Sequence, residues 1–145
     1  MGYHIYFNGE VSVTPPLQDR EREVLEYIFN LKEKKRDVFF EVPTLPAELA
    51  EILRRDDIGR EFTLNEDGTL IEARGEETSY DADVMEQFWK EIAQHVLPSY
   101  SLQGQINWDA SGSNDGSGTL WISGQQVEAV SDVTSNPGPS WERAE

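Results

Sequence analysis

Cysteine is absent from this chain, which excludes disulfides and thiolate metal sites; a disulfide-stapled secreted scaffold is not expected, and the reducing cytoplasm is the expected compartment. Histidine is nearly absent as well. Only His4 and His95 could serve a nucleophile–histidine pair, and neither stands in a matching motif. No apolar run approaches the ~20 residues of a membrane span. The opening Met1-Gly2-Tyr3-His4-Ile5-Tyr6-Phe7 has neither the basic stretch nor the apolar core of a signal peptide. Tyr6 stands where a myristoylation motif needs Ser or Thr. A phosphate-cradling loop is lacking too, because Asn114-Asp115-Gly116-Ser117-Gly118 carries no lysine and leads into no helix. With these gaps, no catalytic residue, metal site or cofactor is assigned, and the chain is not expected to be an enzyme.

Positive charge is the next scarcity: 12 Lys and Arg stand against 28 Asp and Glu, a formal net charge of −16 over 145 residues. The imbalance is uneven. From Gln18 to Asp37, six basic residues (Arg20, Arg22, Lys32, Lys34, Lys35, Arg36) meet six acids (Asp19, Glu21, Glu23, Glu26, Glu33, Asp37), so that segment is neutral. Between Glu66 and Glu91, nine acids meet only Arg74 and Lys90, a local excess of seven negative charges. Such a field repels phosphate backbones and anionic membrane surfaces and attracts basic protein surfaces within a Debye length of about 8 Å. Direct nucleic-acid or membrane binding is therefore not expected, and a basic protein partner is.

What is present reads as a single domain of ordinary size over residues 1–133, followed by a Pro/Gly-containing tail, 134–145, expected to be flexible. Tyr3, Ile5, Phe7, Val11 and Val13 alternate with polar residues, the period of a strand with one buried face, and Gly9 suggests a bulge in it. After Thr14-Pro15-Pro16, a helix is predicted over about 18–36, with Val24, Ile28 and Leu31 as its stripe, Tyr27 beside it, and Leu25 and Phe29 pointing partly away. A short helix is predicted from Pro46 to Arg55. Residues 60–64 and 69–73 read as a hairpin closed by Asp67-Gly68. Asp81 can cap a second long helix running to Leu97, with Tyr80 and Met85 as a staple and Pro98 as its stop. Strands around Leu102–Trp108, Leu120–Ile122 and Val127–Val130 close the chain as a meander. The predicted class is α+β: an antiparallel sheet with two long helices packed on one face, a βαββαβ-like core and a C-terminal hairpin extension.

Gly9-Glu10, Thr14-Pro15-Pro16-Leu17, Asp67-Gly68-Thr69, the aromatic second helix and Leu102-Gln103-Gly104-Gln105-Ile106-Asn107-Trp108 ahead of a Gly-rich loop and two strands carry a resemblance. Together they make residues 3–131 similar to an uncharacterised family of short bacterial and phage-encoded α+β proteins. The resemblance implies no activity. It does not extend to the segment after Val130 or to the acidic stretch from Glu76 to Asp83.

The candidate partner-binding residues are the acids outside the neutral helix: Glu66, Asp67, Glu72, Glu76, Glu77 and Asp83. Trp121, between inward Leu120 and Ile122, faces out and is a candidate anchor or else a ring covered by Trp141. His4, Tyr6, Gln103 and Gln105 form an alternative, a pocket on the polar sheet face. Asp109, Ser111, Ser113 and Asp115 fail as a calcium loop because Asn114 and Leu120 stand where its glycine and bidentate glutamate belong. The expected function is that of an acidic, non-enzymatic binding protein, a phage-encoded inhibitor that docks on a basic, nucleic-acid-binding surface of a host or defence protein. The alternatives are a small-ligand binder or enzyme using the polar sheet face, and a phage accessory protein without inhibitory role.

Overall fold

The alternation that opens the chain becomes strand β1 (Ile5–Thr14): Ile5, Phe7, Val11 and Val13 are buried, while Tyr6, Asn8, Glu10, Ser12 and Thr14 are exposed. There follow α1 (Asp19–Phe29), α2 (Ala47–Arg55), β2 (Phe62–Leu64), β3 (Leu70–Ala73), the two-residue β4 (Glu77–Thr78) and α3 (Ala82–Glu91). The meander β5 (Ser101–Ala110), β6 (Gly116–Gly124) and β7 (Gln126–Ser131) completes the order. The computed structural model describes residues 5–30, 45–56, 58–59, 61–74, 77–78, 80–110, 116–131, 139 and 141.

All strand pairs are antiparallel, and the sheet runs β2-β3-β1-β5-β6-β7, with β4 continuing the β3 side of β1. Since β3 pairs with both β1 and β2, those two run parallel with β3 between them; by the same logic β3 and β5 run parallel with β1 between them. This is the split βαβ arrangement, extended at one edge by the β6–β7 hairpin. Inward residues of the strands and the buried residues of the three described helices belong to one hydrophobic cluster, so these helices cover a single face of the sheet. Among the described residues, no helix packs on the other face.

Three local expectations are corrected. Gly9 makes no bulge against β5, because pairing there runs unbroken from Asn8–Asn107 through Gly9–Ile106 to Glu10–Gln105, while on the other side Gly9–Ala73 is the last pair with β3. On α1 the buried stripe is Leu25, Ile28 and Phe29, with Val24 and Tyr27 only partly buried, because the helix turns the first set into the core, where Phe29 meets Phe62 of β2. Asn30 caps α1, its backbone and side-chain N–H groups both donating to the Glu26 carbonyl, and the predicted continuation over 31–36 lies outside the described residues. The second long helix is α-helical only to Glu91 and winds through Ile92–Val96 as a π turn before Pro98.

The Asp81 cap forms as predicted: its Oδ1 accepts from the Val84 N–H at 3.2 Å, and Tyr80 and Met85 are both buried around it. Asp81→Ala should lower stability by about 1 kcal/mol in urea denaturation, and Asp81→Asn, which keeps an acceptor, by a few tenths at most.

Candidate binding face

Because side chains alternate and the registers are continuous, the open face can be read as rows that cross the sheet. The central row is Thr63, Glu72, Glu10, Gln105, Trp121 and Glu128, each residue paired with the next across β2, β3, β1, β5, β6 and β7. At about 4.8 Å per strand it spans about 24 Å. A second row, Leu70, Ser12, Gln103, Ser123 and Gln126, flanks it, and the Ser12 and Ser123 hydroxyls donate to the Gln103 backbone and side-chain oxygens at 3.0 and 3.2 Å. On the opposite flank lie Asn8, Asn107, Thr119 and Val130, where the Thr119 hydroxyl donates to Asn107 Oδ1 at 2.9 Å. Beyond them Tyr6 pairs with Asp109 and with Glu77.

Four carboxylates therefore share this face: Glu10, Glu72, Asp109 and Glu128. Arg74, just past the end of β3 and beside the same depression as Glu10 and Glu72, is its cation among the described residues. Glu10 and Glu72 stand directly opposite each other, an arrangement that destabilises an isolated pair of strands. Beside them an open depression of about 480 Å³ is lined by Asn8, Gly9, Glu10, Glu72, Ala73 and Arg74.

The predicted acids are not all brought together. Glu72 is central on the open face, and Glu77 pairs with Tyr6 at its margin. Glu66 and Asp67 are exposed at the tip of the β2–β3 hairpin, which is clamped to α1: Arg22 donates to the carbonyls of Asn65 and Glu66 at 3.4 and 2.7 Å. Asp83 lies in the first turn of α3, in the helical layer. Glu76 and His4 lie outside the described residues. Tyr6, at 40% the one large hydrophobic residue exposed among the described residues, and Gln103 and Gln105 are on the open face as expected. Trp121 also points to this side but is half-buried, and its Nε1 is enclosed with no acceptor among the described residues. Val130 shares this side; it is only 6% exposed yet stands apart from the main core.

Glu10, Asp109, Glu128 and Arg74 are the face residues that sequence reasoning missed. Their outward phase was legible, but only pairing order places strands sixty residues apart in one row. Among the described residues no group of three or more His, Asp or Glu is placed to hold a metal ion, and His95 is exposed on the π turn. Among the described residues no helix is long and apolar enough to cross a membrane. No known protein family, curated protein or solved structure matches the chain.

Proposed function

We propose that this chain is an acidic, non-enzymatic binding protein whose open sheet face docks on a basic, nucleic-acid-binding surface of another protein. The observation that carries the reading is the gathering of Glu10, Glu72, Asp109 and Glu128 on the side of the sheet away from the described helices, with Arg74 the one cation beside them among the described residues. The like-charge pair Glu10–Glu72 costs folding stability that a lysine or arginine from a partner would recover. Glu66 and Asp67 at the hairpin tip extend the negative field past the end of the face. The resemblance to short bacterial and phage-encoded proteins directs the search to phage inhibitors and to host or defence enzymes that handle nucleic acid.

The depression beside Glu72 and Arg74 favours a second reading, a small polar ligand held against the sheet, and salt separates the two. Docking by charge should weaken at least tenfold between about 50 and 500 mM salt, whereas a small uncharged polar ligand in the depression would hold nearly unchanged. Reversing two charges, Glu10→Lys with Glu72→Lys, should abolish capture of the partner from the native host while leaving the melting temperature nearly unchanged, because one like-charge pair across the strands is exchanged for another. Retained capture by this variant, or capture indifferent to salt, overturns the proposal.

A further inference from the structure

The two edges of the sheet are finished differently. At one, β2 is only three residues long, too short to template another strand. At the other, β7 runs for six residues and its outward backbone groups face the flank of α3. The Ala129 N–H, which points away from β6, donates to Glu86 Oε2 at 2.8 Å. A helix carboxylate thus occupies the place that the carbonyl of an added strand would take. By the alternation of the strand, the backbone groups of Val127 face the same way.

Between this edge and α3 runs an open groove of about 350 Å³. One wall is Glu86, Lys90 and Gln94, one stripe of the helix at four-residue spacing, and the other is the β7 segment from Gln126 to Glu128. Trp141 also borders the groove, which brings the chain back to the start of β7, the end opposite Ser131. The Trp141 Nε1 is buried with no acceptor among the described residues, and nearby Pro139 in sequence is buried too.

We propose that this groove is a docking site for an extended, basic peptide segment that adds to β7 as a further strand, with Glu86 as its gate and Trp141 as its clamp. The incoming backbone carbonyl takes the Ala129 N–H. Glu86, released from Ala129, pairs with a lysine or arginine of the guest, and a second guest carbonyl accepts from the Trp141 indole. Main-chain pairing supplies affinity, and the charge of the site selects the sign of the guest. The chain's net charge of −16 and the glutamates at both walls, Glu86 and Glu128, outweigh the one wall cation, Lys90, and disfavour an acidic strand and a second copy of this chain. The inference shares a basic partner with the proposed function but uses a surface that meets the open face only at Glu128, so each can fail alone.

The probe is a labelled twelve-residue peptide of alternating lysine and valine, titrated into the full chain by fluorescence anisotropy and by amide NMR. Saturable binding is expected, with shifts at Val127 and Ala129 and slower exchange of the Ala129 amide. The same peptide N-methylated on one edge should bind at least tenfold more weakly. Trp141→Phe, which keeps the ring and removes the N–H, should weaken binding several-fold with an unchanged melting temperature, and Glu10→Lys/Glu72→Lys should bind β7 as the parent does. Absence of shifts along β7, shifts confined to the open face, or equal binding of the N-methylated peptide would overturn the assignment.

Discussion

Gly104→Ala should lower stability by about 3 kcal/mol, a drop of roughly 6–12 °C in melting temperature for a chain of this size, and Gly9→Ala should do nearly the same. A Cβ built on Gly104 would lie 2.1 Å from the Glu10 carbonyl oxygen and 2.7 Å from the Val11 Cα; one on Gly9 would meet the Gln105 carbonyl oxygen and the Ile106 Cα at the same two distances. These are backbone atoms in the middle of the sheet, so no side chain can move aside and the strands themselves must part. The registers explain the arrangement. Gly9 pairs with Ile106 and Gly104 with Val11, each glycine opposite a buried β-branched residue on the partner strand, so β1 and β5 fit each other by paired omissions of a side chain. Gly116→Ala is the control. It has positive φ, +65°, but open space around the added carbon, and should cost only about 1 kcal/mol. Urea midpoints for the three variants check the ranking, and a Gly104→Ala protein as stable as Gly116→Ala would show that β1 and β5 are further apart than described here.

The same strands show what the sequence could and could not disclose. The phase of each strand was legible because burial on one face enforces period two: Phe7, Val11, Leu102, Ile106, Leu120 and Ile122 all point inward as read. So was the hairpin, since Gly68 has the positive φ, +70°, that the Asp67-Gly68 pair advertised. Gly9 was misread because a lone glycine in a strand signals either a bulge or a close backbone approach, and only the neighbour across the sheet decides between them. The stripe of α1 slipped for a related reason. Leu25, Ile28 and Phe29 and the alternative Val24, Ile28 and Leu31 both have helical spacing, and the choice depends on where the rest of the core lies. The open face as a set of rows was the least legible feature, because Glu10, Glu72 and Glu128 meet in one row only through strand order. Charge along the sequence pointed instead to Asp83, which the cap of α3 places in the helical layer. Acids at a helix start have a local explanation in the helix dipole, and that explanation suffices there.

Phe62→Ala should be as damaging as any side-chain truncation in the chain, about 3–5 kcal/mol, despite lying on a three-residue strand at the sheet edge. The ring is 2% exposed and is the hub of the aromatic core: it stacks on Phe88 at 5.5 Å and 5°, meets Trp89 edge-on at 5.5 Å and 88°, and tilts against Phe29 at 5.5 Å and 44°. Through it β2 is held to both α1 and α3. Each such ring pair adds about 0.5–1.5 kcal/mol beyond area burial, and truncation loses three of them at once. Trp89→Phe makes the instructive contrast, since the Trp89 indole N–H is buried without an acceptor among the described residues. Its loss relieves an uncompensated desolvation of about 1–3 kcal/mol that offsets part of the lost volume, so this variant should cost less than half as much as Phe62→Ala. The two differ in reach as well. Phe62 and Glu72 belong to adjacent strands whose pairing runs from Phe62–Ala73 to Leu64–Ile71, so freeing β2 should speed amide exchange through Glu72 and weaken docking on the open face, although the Phe62 ring points to the other side of the sheet. Normal exchange at Ile71 and Glu72 in Phe62→Ala would mean that β3 is anchored by β1 alone.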